Sequence, residues 1–211
     1  MLDDDDDDDD DAQRIIRRRR LNRDRISTEN HLFNDYFSDN PTFSGDYFRK
    51  RYRMSRSLFL RIAYAITNYT AEPLPGYFKF FEQRYDCTHR LGFNNYQKCT
   101  SAIRQLAYGI APDAFDEYLH MGRQTSSDCL ENCCKCIVYL ISTQYLRKPT
   151  GDEVRRLHAK HSEMNGFPGM LGSLDCMHWA WKNYPVVWQG HYTRTIHEGP
   201  TIFLEAVASY D

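Results

Sequence analysis

Asp175 is the acidic side chain of this sequence best framed for chemistry. It stands in the run Gly169-Met-Leu-Gly-Ser-Leu-Asp-Cys-Met-His-Trp-Ala-Trp-Lys-Asn-Tyr-Pro185. Met170 to Leu174 is a short apolar stretch, and His178 to Lys182 alternates before a proline break. That pattern predicts a strand, an acidic strand end at Asp175, and a second strand. A carboxylate at the end of a buried strand is a good place for a divalent cation, because the strand fixes the ligand while loops admit substrate. One carboxylate does not make a metal site. His178 is read either as a support for that carboxylate or as a packed side chain, and Glu205 has a weaker case as a second acid.

The second set of chemistry-bearing residues is cationic. Arg17, Arg18, Arg19 and Arg20 lie in an arginine block that runs from Arg14 to Arg25, and Arg49, Lys50, Arg51, Arg53, Arg56 and Arg61 form another cluster. Arginines interleaved with aromatic residues suit a polyanion. Each block has a plainer reading as the solvated face of a helix. Arg123, Gln124, Thr125 and Ser126 are of the types that contact phosphates and base edges. Cys129, Cys133, Cys134 and Cys136 invite a zinc reading, but four ligands on one helix cannot wrap an ion tetrahedrally. They are expected instead to be small core residues.

These residues need elements to hold them. Leu32, Phe33, Tyr36 and Phe37 predict a short helix over 27–38, ended at Asn40-Pro41. Asp46 is expected to cap a basic-aromatic helix. Ser55 is expected to cap a longer one with an apolar stripe of Leu58, Phe59, Ile62, Ala65, Ile66 and Tyr69. Tyr77 to Gly92 has no clear period. A helix follows from Tyr96 to Gly109, then a short one begun by Pro112, with Ala114, Phe115, Tyr118 and Leu119 as candidate buried residues. Thr125 is expected to cap a third helix carrying Leu130, Cys133, Cys134, Ile137, Val138 and Ile141, with Asp128 in its first turn. That order is the plan of a helix-turn-helix unit, in which the start of the last helix faces DNA, and equally of a structural bundle. Thr150-Gly-Asp-Glu153 reads as a capping box opening a polar helix to about Lys160. After a glycine-rich loop the period changes to that of strands, the last being Thr201 to Ser209. The domains expected are thus a tail over 1–26, a helical region over 27–165 and a strand-bearing region over 166–211.

Composition bounds the function. The formal charge of −2 becomes +7 once nine consecutive aspartates at 3–11 are set aside. The tail, acidic and then basic, is expected to be disordered because like charges repel and bury nothing. Its aspartates read as a repeat expansion or as a screen for the arginines, and its arginines as a nuclear-localisation signal, a phosphate-contacting arm or a solvated helix face. No stretch reaches eighteen apolar residues, so no membrane partner is expected. Seven cysteines of uneven spacing behind an acidic start predict reduced thiols.

Several long stretches resemble plant PIF/Harbinger-type transposases, which belong to the DDE superfamily of nucleases. They are Phe167 to Asn183, Gln189-Gly-His-Tyr-Thr-Arg194 and Pro200 to Asp211, with Asp35 to Pro41, Phe48 to Met54 and Gln97 to Tyr108 upstream. The resemblance covers nearly everything after the aspartate tract. It implies an α+β chain: an all-helical N-terminal region with a helix-turn-helix-like unit, then an RNase H-like nuclease domain. In such enzymes three acidic residues hold two divalent cations, usually Mg²⁺, for DNA cleavage and strand transfer. Asp175 matches the first catalytic, metal-binding carboxylate. The family's other two acids lie beyond the third strand, where this sequence stops, and Asp211 matches the family's strand-end aspartate rather than the second acid. The expectation is therefore a C-terminally truncated transposase with the first three strands of an incomplete domain, unstable by itself over 170–211, binding no cation stably and inactive. The alternative is a transposase-derived protein that binds DNA or chromatin without catalysis. Nuclear localisation and, as partners, DNA, chromatin proteins or a separate DNA-binding protein are what the resemblance implies.

Overall fold

A computed structural model describes residues 23–181, 185–193 and 199–209. The described elements make the chain α+β, and it divides into two compact units, Met1–Tyr145 and Leu146–Asp211. The expectations for Arg17, Arg18, Arg19 and Arg20, for the acidic tract, for Lys182 and for Asp211 lie outside the described residues.

The first unit is helical: α1 Arg25–Tyr36, α2 Gly45–Tyr52, α3 Arg56–Thr67, α4 Gly76–Lys79, α5 Asn95–Tyr108, α6 Asp116–Leu119 and α7 Arg123–Tyr145. Asp24 starts α1 by accepting from the Ser27 amide at 3.0 Å, so Arg25 and Ile26 are already helical. Ser44, not Asp46, caps α2, because its extended backbone aims the hydroxyl at the Tyr47 amide. Ser55 caps α3 as expected. Gly109 ends α5 at φ +60°, a conformation costly for a residue with a Cβ. Pro112 sits in a turn ahead of α6 rather than in its first turn, and of the expected buried set Leu119 alone is buried.

α5 is the central rod. Nine consecutive residues, Gln97 to Gln105, are buried, so neighbours enclose it on every side. On one side lies an aromatic cluster: Tyr36, Phe37, Phe48, Tyr52 and Phe59. The Phe48 and Tyr52 rings stack at 4.1 Å, and Phe59 meets Tyr52 edge to face at 5.2 Å. Each such side chain contributes about 1.5–3 kcal/mol by burial, and each ring pair roughly 0.5–1.5 kcal/mol more. The Tyr52 hydroxyl is 3.3 Å from that of Thr100 on α5. Burial pushes the Tyr52 pKa well above its ordinary value, so the phenol stays protonated.

On another side α5 packs against α7 through Cys129, Cys133 and Cys136, all at 0% exposure. The sequence stripe had extended this face to Val138 and Ile141, but both are exposed in the structure. The small thiols define the face because they let the two helices approach closely. Burial pushes the Cys129 and Cys136 thiols up to about 12, which leaves them protonated and unreactive.

The second unit contains α8 Gly151–Asn165, β1 Ser173–Ala180, a 3-10 turn Val186–Trp188, α9 Gln189–Tyr192 and β2 Thr201–Ala208. The expected capping box is present at Thr150 and Glu153, and Gly166 closes the helix at φ +68°. β1 corrects the sequence reading. The two strands expected on either side of Asp175 are one continuous strand, paired antiparallel with β2 from Ser173↔Ala208 to Ala180↔Thr201. Asp175-Cys-Met177 contains no glycine, proline or asparagine to turn the chain, so pairing runs straight through. Three expected strands thus become two among the described residues. At the strand's entrance, a Cβ on Gly172 would stand 2.6 Å from the Ala208 carbonyl oxygen; only glycine allows that approach.

Candidate nucleic-acid interface

The short helix α2 sets out the second cationic cluster. Phe48 and Tyr52 are buried one turn apart, which turns Arg49, Lys50 and Arg53 outward, all exposed. Arg51 is half-buried; its guanidinium donates to the Tyr108 hydroxyl at 3.3 Å and lies 5.8 Å from the Tyr47 ring centroid. That hydrogen bond raises the Arg51 pKa further. Arg56 has a structural task, donating to the carbonyls of Phe37 and Ser38 at 2.7 and 3.0 Å beyond the end of α1. Arg61 is exposed on α3. Among the described residues, none of Arg49, Lys50, Arg51, Arg53 and Arg61 forms an ion pair.

The first turn of α7 is held rigidly. Helix α7 begins at Arg123, so Thr125 lies inside the first turn rather than at the cap. Ser126 faces inward at 2% exposure. Its hydroxyl is 2.6 Å from that of Ser101, and Gln105 Nε2 donates to its carbonyl at 2.9 Å. This network fastens the start of α7 to α5, because each buried polar group is costly unless bonded. It leaves Arg123, Gln124 and Ser127 exposed and Thr125 half-buried. Gln124 is steadied by donating to Asp128 at 2.9 Å. Arg104 supports the preceding turn, its guanidinium carbon 4.2 Å from the Phe115 centroid and 5.5 Å from that of Tyr118.

Sequence reading missed one cationic group that the structure makes prominent. Lys98 on α5 is 8% exposed, with Nζ donating to the carbonyls of Phe80 and Glu82 at 2.7 and 3.0 Å. Burial lowers its pKa. No neighbouring residue signals this, because the accepting carbonyls lie on the segment after α4.

In the second unit Asp175 lies mid-strand, opposite Ala206, and is exposed. Strand alternation places it with Ser173, Met177 and Trp179 on one face. Glu205 pairs with Cys176, the next residue along, and so belongs to the other face with His178. His178 lies 5.2 Å from the Phe203 ring and 3.5 Å from the Thr201 hydroxyl. The sheet therefore separates Asp175 from the carboxylate nearest to it in pairing. Among the described residues no group of three or more His, Cys, Asp or Glu side chains is arranged to hold a metal ion. This donor set does not fit a two-cation site, which needs several oxygen ligands converging on one point.

Comparison with known proteins separates the same two regions. Residues 143–211 match a family described as plant transposon protein, a span that nearly coincides with the second compact unit. Residues 29–67 match a domain of unknown function, DUF8418, and cover α1 to α3 with their aromatic cluster. No curated protein and no solved structure matches the chain. Over residues 143–211, its last third, the chain is similar to plant transposon proteins. No described helix is long and apolar enough to cross a membrane.

Proposed function

We propose that the chain is a nuclear DNA-binding protein of transposase origin, Harbinger-type in descent, that does not cleave DNA by itself. The observation carrying this reading is the set of exposed cations on α2 and α3 that no carboxylate neutralises among the described residues. Elsewhere on the described surface, Lys135, Arg147, Arg155 and Lys160 each face an acidic partner. Uncompensated arginines raise the electrostatic energy of the free protein and lower that of a complex with phosphate. In this reading Arg49, Lys50 and Arg51 contact the backbone of duplex DNA. The α5–α6–α7 succession supplies a helix-turn-helix-like unit, with Arg123, Gln124 and Thr125 at the DNA-facing end; Ser126 positions that end from within. Arg17 to Arg20 add an arm. Chromatin proteins or a separate DNA-binding protein are the further partners this descent suggests.

Asp175 is, on the same proposal, the first acid of a DDE nuclease of RNase H-like ancestry. Mg²⁺ is the cofactor of that ancestry, but the described donors around Asp175 do not fit it. A duplex-binding titration at several salt concentrations tests the proposal. The expected result is a steep loss of affinity with salt, made shallower by Arg49→Gln with Lys50→Gln. Binding indifferent to salt and to this pair of substitutions would sink the reading. Efficient metal-dependent cleavage abolished by Asp175→Ala would restore the enzyme.

A further inference from the structure

Outside the α2 surface, a cavity of about 360 Å³ opens in the first unit where α1, α5 and the start of α7 meet the segment after α4. Four cationic side chains line it, Arg25, Lys79, Arg84 and Lys98, together with Phe80 and Thr125. One carboxylate, Glu82, shares the lining and is paired with Arg84. Arg25 is answered from outside the lining by Asp86 at 3.0 Å. Three donors hold Asp86 in place, the Thr88 hydroxyl and amide and the Arg90 amide, and its pKa falls well below the carboxylate range. Lys79 forms no ion pair among the described residues.

Lys98 is the least expected member. An ammonium has three donors, and two are spent on the Phe80 and Glu82 carbonyls. The third has no acceptor among the described residues. Nζ also stands 5.1 Å from the Phe80 ring centroid. The cavity lies beside the first turn of α7, through Thr125, and a 23-residue helix presents partial positive charge at that end. Arg23 adds to it, with Nη1 only 2.5 Å from where a Cβ on Gly122 would stand. Gathering cations at the positive end of a helix works against stability, and an anion in the cavity would add an attraction to each of them that offsets this repulsion.

We infer that this cavity is a phosphate-binding site, taking one backbone phosphate of a DNA strand. The inference rests on the proposed DNA binding and adds a contact apart from α2. Arg84 and Lys79 at the mouth engage the phosphate oxygens, Lys98 supplies a desolvated charge from the floor, and the Thr125 hydroxyl donates beside the α7 amides. The group is fixed relative to α7, so it sets the register of Arg123 and Gln124 along the duplex.

The test uses the full chain and two probes, a duplex oligonucleotide and inorganic phosphate, followed through the backbone amide signals of Lys79, Lys98 and Thr125. Duplex is expected to shift all three, and phosphate to shift them at higher concentration. Lys79→Gln with Arg84→Gln, both exposed positions, should abolish the shifts, leave thermal stability unchanged and lower the salt slope of DNA binding by about 0.9 for the one phosphate lost. If duplex binds and is weakened by Arg49→Gln with Lys50→Gln, yet leaves the cavity signals and the slope of the Lys79/Arg84 variant unchanged, the cavity assignment is overturned while DNA binding stands. If duplex does not bind but phosphate shifts the signals in the unsubstituted chain only, the site holds and its ligand is a small phosphate. If neither probe moves them, the cavity assignment is overturned.

Discussion

The two units bury their apolar side chains to very different degrees. In the first, Phe48, Tyr52 and Phe59 are at most 1% exposed, and even serines and a glutamine in the interior are hydrogen-bonded to one another. In the second, all of β1 and most of β2 are exposed on both faces, with Leu174 at 62% and Val207 at 71%. A two-stranded ribbon without a covered face is marginal in water. The lesson is that the match to the transposon family and the structural stability fall on different parts of the chain. The residues 143–211 that match the plant transposon family are not those that hold the well-packed core.

The sharpest way to break that contrast is to damage each unit in turn. Phe59→Ala removes a fully buried ring touching Phe37, Phe48 and Tyr52 and should cost about 3–5 kcal/mol. Phe203→Ser, on the exposed ribbon, should change the stability of the first unit by less than about 0.5 kcal/mol. Thermal unfolding of both variants checks the pair, and equal losses would refute the contrast. Amide hydrogen exchange gives a finer reading. Amides of α5 should exchange only through global opening, those of β1 orders of magnitude faster through local opening. Comparable protection in both would mean that the ribbon is better supported than its exposure implies.

Legibility in the sequence divides along a different line, that between local and long-range causes. Ser55, Gly109 and the Thr150–Glu153 box were readable because a cap is decided within four residues. The face of α7 was not. Periodicity placed Val138 and Ile141 inside, but the packing partner α5 selects the thiol face, and no sequence window around α7 contains α5. Lys98 was missed for the same reason, since the carbonyls that accept from it lie 16 and 18 residues away. Asp175 is marked out by its residue type and setting, but its mid-strand place is not. Whether a strand stops at an acidic residue depends on the partner strand, and β2 pairs across it without interruption. That Glu205 does not converge on Asp175 is likewise a matter of strand faces, legible only from the register.

The DNA-binding proposal sharpens the contrast next. Arg49→Gln with Lys50→Gln, in the first unit, should lower the salt slope of duplex binding by about 1.8 if each side chain neutralises one phosphate. Asp175→Asn, in the second, should leave both affinity and slope unchanged. Filter or fluorescence titration across several salt concentrations measures both. An Asp175 effect as large as that of α2 would place the DNA contact in the second unit instead.

The smallest expected effects belong to the cap of α8. Thr150→Ala removes the acceptor for the Glu153 amide and should destabilise α8 by about 1 kcal/mol, read as faster exchange of the helix's first amides. The same cap makes α8 pH-sensitive. The Arg147 guanidinium, at 2.5 and 2.9 Å, and then the Thr150 amide and hydroxyl hold the Glu153 carboxyl down to about 2, against an ordinary value of 4.5. Between those values the unfolded helix binds the proton that the folded one refuses, so stability falls as pH falls. The contribution of Glu153 is whole above about 4.5 and disappears as the pH drops through about 2. Arg147 and Glu153 meet at a solvent-accessible surface, so salt should weaken the effect. Following the Val154 amide by NMR from pH 6 to pH 2 should show α8 fraying before α5 responds, and a Glu153→Gln chain should lack most of that acid step. An α8 that frays with the same midpoint in both chains would assign the acid sensitivity to another group.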